Sequence, residues 1–165
     1  RGARRSKIVS GLVSSCARAA TAEEAAFRID YPLAAARNTR VVALDAAAEE
    51  IVRRTSRMRW AQARFFSATD PGHDLVTMDG ATVPLAGELD GSNSLVLVSA
   101  TGENAEAAAT IGAACQVRGI MTAGLIVTPG WSTSQALLAL RPHARILLVP
   151  AEEDDLVELL RATRS

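Results

Sequence analysis

Cysteine, lysine and aromatic residues are scarce in this 165-residue chain, and long hydrophobic runs are missing. The cysteines, Cys16 and Cys115, lie far apart in alanine-rich segments, which favours free thiols in a reducing cytoplasm over a disulfide. No apolar stretch approaches the roughly 20 residues needed to span a bilayer, so we expect no membrane segment. Aromatic residues make up only 4% of the chain, and no nucleic-acid-binding motif is present, which argues against nucleic acid as a partner.

Motifs that identify common classes of enzyme are also missing. The chain has neither a Gly-x-Gly-x-x-Gly loop nor a Gly-Lys-Ser/Thr loop, so neither a standard dinucleotide site nor a P-loop is expected. Its two histidines, His73 and His143, and its two cysteines are too widely scattered to suggest a zinc site. We therefore expect no metal and no cofactor.

Charge is distributed unevenly, although the net charge is zero. Residues 1–64 hold thirteen basic and six acidic residues, whereas residues 65–165 hold five basic and twelve acidic ones, giving +7 and −7. One interpretation is complementary packing of the two halves or of subunits, which favours a homo-oligomer. The other is an arginine-lined face that attracts an anionic ligand.

Hydrophobic patterning predicts a single α/β domain. Short apolar runs bounded by turn residues are typical of buried strands, and here they alternate with helical patterns. The predicted strands are residues 39–44, 64–68, 95–99, 124–128 and 145–149, and the predicted helices that follow them include 46–63, 105–117, 134–140 and 152–161. This spacing suits βαβ crossovers, so we predict a three-layer α/β/α sandwich with a mainly parallel five-stranded sheet, flavodoxin-like or Rossmann-like.

Two regions complete this prediction. Residues 1–38 are expected to form helices that pack on the domain. Residues 74–90 are read either as a hairpin around Asp79-Gly80 or as a long loop with a short strand.

The most informative segment is the loop that follows the strand at residues 95–99. Its backbone N–H groups would lie at the positive end of a helix, where they can bind an anion. Gly102 permits close approach of a ligand, Ser99 and Thr101 supply hydroxyl groups, and Asn104 can cap the helix or bind an oxygen. Glu103 would repel a phosphate unless it points away or acts as a base. The same residues also suit a strand-to-helix turn that binds no ligand.

Four residues outside this loop are further candidates. Trp131 and Ser132 follow a strand at the edge where a pocket would form, although Trp131 also suits a core or subunit contact. His73 is a general acid/base candidate if its turn lies over the sheet edge, and a surface imidazole otherwise. Asp45 resembles the ribose-binding acid of a dinucleotide fold, but the missing glycine loop makes a helix cap the better interpretation.

The string Ser99-Ala100-Thr101-Gly102-Glu103-Asn104-Ala105-Glu106 is similar to the Ser-x-Ser-Gly-Glu-Thr-x-Glu loop of sugar isomerase (SIS) phosphosugar-binding domains. The similarity in layout covers roughly residues 94–151. It implies a flavodoxin-like sheet in which the residues at positions 99, 101 and 104 hold a sugar phosphate. The chain departs from the family at residues 41–47, which lack the glycine and serine-rich turn after the first strand, and at Ala100, where a polar side chain is common.

Two main hypotheses about function follow. The first is a phosphosugar or other small anionic ligand bound at residues 99–104, with sugar-phosphate isomerisation as the chemistry that the resemblance implies. The second is a non-catalytic Rossmann-like domain that acts through oligomerisation or a protein partner. A nucleotide-binding domain without the usual glycine signature is a third interpretation.

Overall fold

A computed structural model describes residues 35–127 and 135–165. The helices predicted within residues 1–34 lie outside these ranges. In chain order, the described elements are β1 (Thr39–Ala43), α1 (Ala46–Ser56), β2 (Arg64–Ala68), β3 (Asp74–Thr77), β4 (Thr82–Pro84), α2 (Leu85–Leu89), β5 (Ser94–Ser99), α3 (Ala105–Val117), β6 (Met121–Ile126), α4 (Gln135–Leu140), β7 (Ile146–Leu148) and α5 (Glu153–Ala162).

The described strands form one seven-stranded sheet in the order β4-β3-β2-β1-β5-β6-β7. The five strands from β2 to β7 in this order pair in parallel, as predicted. The count of five is wrong for the whole sheet, because β3 and β4 add an antiparallel hairpin at one edge. The hairpin turns at Gly80, whose φ of 97° suits glycine.

The central strands are buried on both sides. Val41 of β1 and Val96 of β5 belong to a hydrophobic cluster that includes residues of α1 and α5. Their neighbours Val42 and Leu97 belong to a second cluster, which includes residues of α2, α3 and α4. Because successive strand residues point to opposite faces, the uninterrupted apolar runs fill both clusters. The described domain is thus α/β, consistent with a Rossmann-like or flavodoxin-like class.

Helix α1 is shorter than the sequence pattern predicts. It ends at Ser56 instead of continuing to residue 63. The indole N–H of Trp60 donates a hydrogen bond to the carbonyl of Thr55 at 2.8 Å, and the Trp60 ring lies 6.4 Å from that of Phe65 in β2. Trp60 thus satisfies a carbonyl in the last turn of the helix while the chain returns to the sheet.

The start of β6 differs from the start predicted from the sequence. β6 begins at Met121, three residues before the predicted start at Gly124, because Met121 already pairs with Ser94 of β5. Thr122 is buried within the strand, and its hydroxyl masks the apolar run in the sequence.

A buried ion pair joins α2 to the sheet. Glu88 lies 3.3 Å from the Nε atom of Arg40 in β1 and 3.0 Å from a guanidinium nitrogen of Arg64 in β2. Arg40 also donates to the Glu88 carbonyl at 3.0 Å. Burial lowers the pKa of Arg40, and the Glu88 carboxylate opposes that shift. Part of the arginine excess in residues 1–64 is therefore structural, since a buried charge requires a partner.

No helix in residues 35–127 and 135–165 has the length and apolar character needed to cross a membrane.

Candidate functional site

The candidate loop lies where the order of the parallel strands reverses. β1 has β2 on one side and β5 on the other, and both pairings are parallel. In open α/β sheets, ligands bind beside the carboxyl ends of strands at such a reversal. Residues 44–45 after β1 and residues 100–104 after β5 therefore meet at the expected edge.

The Asp45 carboxylate accepts hydrogen bonds from the donors at the end of β5. Its Oδ2 atom accepts hydrogen bonds from the Ser99 hydroxyl at 2.8 Å and from the backbone N–H groups of Ala100 at 2.9 Å and Thr101 at 3.2 Å. Its Oδ1 atom accepts the N–H of Ala48 at 2.8 Å, which confirms the interpretation of Asp45 as the cap of α1. One carboxylate thus caps α1 and accepts three hydrogen bonds from residues 99–101 at the end of the neighbouring strand.

Ser99 is fixed by this arrangement. Its side chain is fully buried, and its hydroxyl oxygen accepts the N–H of Gly102 at 2.9 Å while the hydroxyl proton goes to Asp45. A hydroxyl has one proton to donate. Ser99 therefore has no remaining proton to donate to a ligand unless the Asp45 contact breaks.

Asn104 contacts the backbone just after the neighbouring strand β1. Its side-chain amide donates to the carbonyl of Leu44 at 3.0 Å, so that N–H group is directed at the protein backbone. The residue has a left-handed φ of 62°, and α3 begins without a side-chain cap. A second contact holds the loop from α4, where the N–H of Ala136 donates to the Gly102 carbonyl at 3.1 Å.

Thr101 and Glu103 are the loop side chains that face solvent. The Thr101 hydroxyl accepts the N–H of Glu103 at 3.4 Å, a weak contact. Glu103 is exposed, so its carboxylate is accessible from solvent.

His73 lies in the turn after β2, at the same edge of the sheet. The preceding residue, Gly72, packs against the first turns of α3, where an added Cβ would lie 2.9 Å from the Cα of Ala107. The turn is therefore next to the helix that follows the candidate loop. The residue itself is exposed.

The remaining candidates separate into two groups. Trp131 and Ser132 lie outside the described residues. His143 lies at the opposite end of the sheet, where its Nδ1 atom is 2.8 Å from the amide oxygen of Gln116. It helps to line a cleft of about 340 Å³ beside the start of β6.

The described part of the chain offers no metal centre. Within residues 35–127 and 135–165, no three or more His, Cys, Asp or Glu side chains converge on a point that a metal ion could occupy.

Sequence reasoning identified the loop and the cap but missed the bond between them. The available signal was the position of Asp45 directly after β1, together with the parallel order that places β1 beside β5. An acid at that point lies within reach of the same N–H groups that would bind a phosphate.

The sequence matches no protein-family model and no curated protein sequence.

Proposed function

We propose that the described domain is a non-catalytic α/β domain that acts through contact with protein, and that Asp45 takes the place of a bound phosphate. The observation that carries the proposal is the set of three hydrogen bonds from Ser99, Ala100 and Thr101 to Asp45 Oδ2. In the family that this loop resembles, hydroxyls and amides of the same loop hold the ligand.

Displacement of Asp45 by a phosphate is costly. Hydrogen bonds to a charged group contribute about 1.5–3 kcal/mol each, and three of them would be lost together with the cap of α1. The displaced carboxylate would then lie beside a dianion. A ligand that binds at these N–H groups must supply more free energy than these losses.

The charge around the site supports the same conclusion. The described residues of the loops at the carboxyl ends of β1, β2 and β5, residues 44–45, 69–73 and 100–104, contain no lysine or arginine. They contain Asp45, Asp70 and Glu103 instead. A phosphate at this edge would be near carboxylates without a compensating cation.

The proposal includes the finer description of the fold. Two hydrophobic clusters on opposite faces of the sheet support a three-layer α/β/α sandwich, and the order of the five parallel strands supports its flavodoxin-like form. A reducing cytoplasm is the setting that suits the buried free thiol of Cys115.

A phosphosugar site at the start of α3, beyond the N–H groups that Asp45 binds, is the second candidate. The start of α3 carries no side-chain cap, so its first N–H groups are open to an anion that also contacts the exposed Thr101 hydroxyl. This arrangement would leave Asp45 in place and would use Glu103 or His73 for any proton transfer.

The test compares melting temperatures with and without millimolar inorganic phosphate or glucose 6-phosphate. We expect no rise for the native chain. The Asp45→Ser variant keeps a capping side chain but lacks the carboxylate, and we expect it to lose about 2–4 kcal/mol of stability and to regain part of it with phosphate. Glu50→Ser is the matched control, since it removes an exposed acid from α1 without touching the loop.

The outcomes separate the two candidates. A rise in the melting temperature of the native chain that disappears in Thr101→Val would refute the proposal in favour of the phosphosugar site. An Asp45→Ser variant as stable as the native chain would show that the three hydrogen bonds carry no weight, and the proposal would lose its basis.

A further inference from the structure

The two edges of the sheet are protected differently. β4 forms one edge, and its exposed residues include Pro84, a residue that blocks strand pairing. β7 forms the other edge and consists of Ile146, Leu147 and Leu148. It pairs with β6 on one side, and within the described residues no strand pairs with its other side.

The β7 edge is apolar and accessible. Ile146 is 37% exposed and Val149, directly after the strand, is 43% exposed. Neither a charge nor a proline interrupts residues 146–149. An apolar strand with unpaired backbone groups is a template for the addition of another strand.

Charges before and after β7 favour one orientation of an added strand. The exposed residues before β7 include Arg141 and Arg145, and the exposed residues after it include Glu152 and Asp154. Glu153 is exposed too, but its carboxylate pairs with Arg54 of α1 at 2.7 Å. A second copy in antiparallel orientation places the basic end of each strand beside the acidic end of the other. A parallel copy would place like charges together.

We propose that a second copy of this chain pairs with β7 in antiparallel orientation and continues the sheet across a twofold axis. This inference rests on the proposed function, because it names the protein that the domain contacts. With pairing centred on Leu147, Ile146 lies opposite Leu148 of the second copy and Arg145 lies opposite its Val149. The strand is short, so the dimer is weak and depends on protein concentration.

The experiment measures the mass of the 165-residue chain by sedimentation velocity from 1 to about 200 μM at low and high salt. We expect a monomer–dimer equilibrium that shifts towards monomer at high salt, because the flanking ion pairs are exposed and screened. Ile146→Lys places a charge on the edge, and we expect at least a tenfold weaker dimer with an unchanged melting temperature at low concentration. Val117→Lys is the matched control, since Val117 is 86% exposed on α3.

A charge exchange tests the orientation. Arg141→Glu should weaken the dimer, and adding Asp154→Arg should restore it, because the register centred on Leu147 brings position 141 of one copy beside positions 153 and 154 of the other. A native chain that stays monomeric at every concentration, a dimer that persists in Ile146→Lys, or a double variant without recovery would each overturn the inference.

These results are independent of the ligand test. A monomeric native chain that also ignores sugar phosphates refutes the β7 dimer and leaves the proposed contact with another protein. A response of the native chain to glucose 6-phosphate refutes the proposed function, whatever its oligomeric state.

Discussion

Asp45 links two elements at the carboxyl ends of the parallel strands. It is acidic at a position where the backbone of two neighbouring elements supplies free N–H groups, and it satisfies both. Buried or half-buried donors need partners, so the chain supplies its own. The polar loop that suggests a ligand is, in this arrangement, a connection between β1 and β5.

Cys115 is a second residue whose surroundings decide its behaviour. It is fully buried in α3, which agrees with the predicted free thiol, whereas Cys16 lies outside the described residues. Burial raises the pKa of the thiol to about 11, against smaller opposing effects of Thr122 and Arg118. Thiolate is the reactive form, so the residue should be inert near neutral pH.

We predict that a Cys16→Ser variant reacts at least about a hundredfold more slowly with a disulfide reagent at pH 8 when folded than when unfolded, since a shift of two pKa units reduces the thiolate by that factor. The folded state prefers the protonated thiol, so stability should also fall as pH rises from about 9 to 11. Cys115→Ala should remove that part of the pH dependence in urea titrations. Equal labelling rates in the folded and unfolded chains would contradict the burial of this thiol.

At the scale of elements, the turn between β2 and β3 packs closely against α3 because Gly72 has no side chain. Gly72 and Gly80 have nearly the same backbone conformation, with φ of 99° and 97°. They differ in their surroundings, because a Cβ at Gly72 would meet the backbone of Ala107, whereas a Cβ at Gly80 has nothing within 4 Å. The pair therefore separates backbone strain from packing.

We predict that Gly80→Ala lowers the free energy of unfolding by about 1 kcal/mol, the cost of the left-handed conformation for alanine. Gly72→Ala should lower it by about 2–4 kcal/mol, since the turn must also move away from α3. Urea unfolding of the two variants measures the difference. Equal losses would mean that the turn carrying His73 does not rest on α3.

The elements that could be predicted from the sequence were those with a strong local signal. The runs at β1 and β5 and the helix α3 emerged with bounds within one residue, because uninterrupted apolar residues and a capped helical pattern leave few alternatives. The end of α1 could not be found this way, since it depends on Trp60 reaching back to Thr55. The two antiparallel strands, β3 and β4, were equally ambiguous, because they are short and mix apolar with polar residues around Asp79-Gly80 as a loop can.

The candidate site shows the same division. Its position followed from the pattern of strands and helices, but the partner of its N–H groups lies 55 residues away in the sequence. Such a pairing depends on which strands are neighbours in space. Local patterning does not contain that information until the order of the strands is known.

At the scale of the whole molecule, several arginines lie at the amino ends of the parallel strands. Arg40 and Arg64 lie in the first two residues of their strands, and Arg118 and Arg145 shortly precede β6 and β7. The described loops at the carboxyl ends of β1, β2 and β5 carry acids instead. The positive ends of helices favour acids and the negative ends favour bases, so helix direction in a parallel α/β sheet produces this separation.

Stability should also be graded across the sheet, from its centre to the hairpin. Every residue of β1 and β5 is buried, whereas β4 is mostly exposed and has a partner on one side within the described residues. Opening the hairpin breaks one strand pairing and exposes Leu75 of one cluster, whereas opening β1 or β5 breaks two pairings and disrupts both clusters. We therefore predict that backbone amides of β1 and β5 exchange with deuterium only through global unfolding, and that those of residues 74–84 exchange at least about a hundredfold faster. Mass spectrometry of peptides from exchanged protein measures this, and equal protection of the hairpin and β5 would show that the edge hairpin is an integral part of the cooperative core.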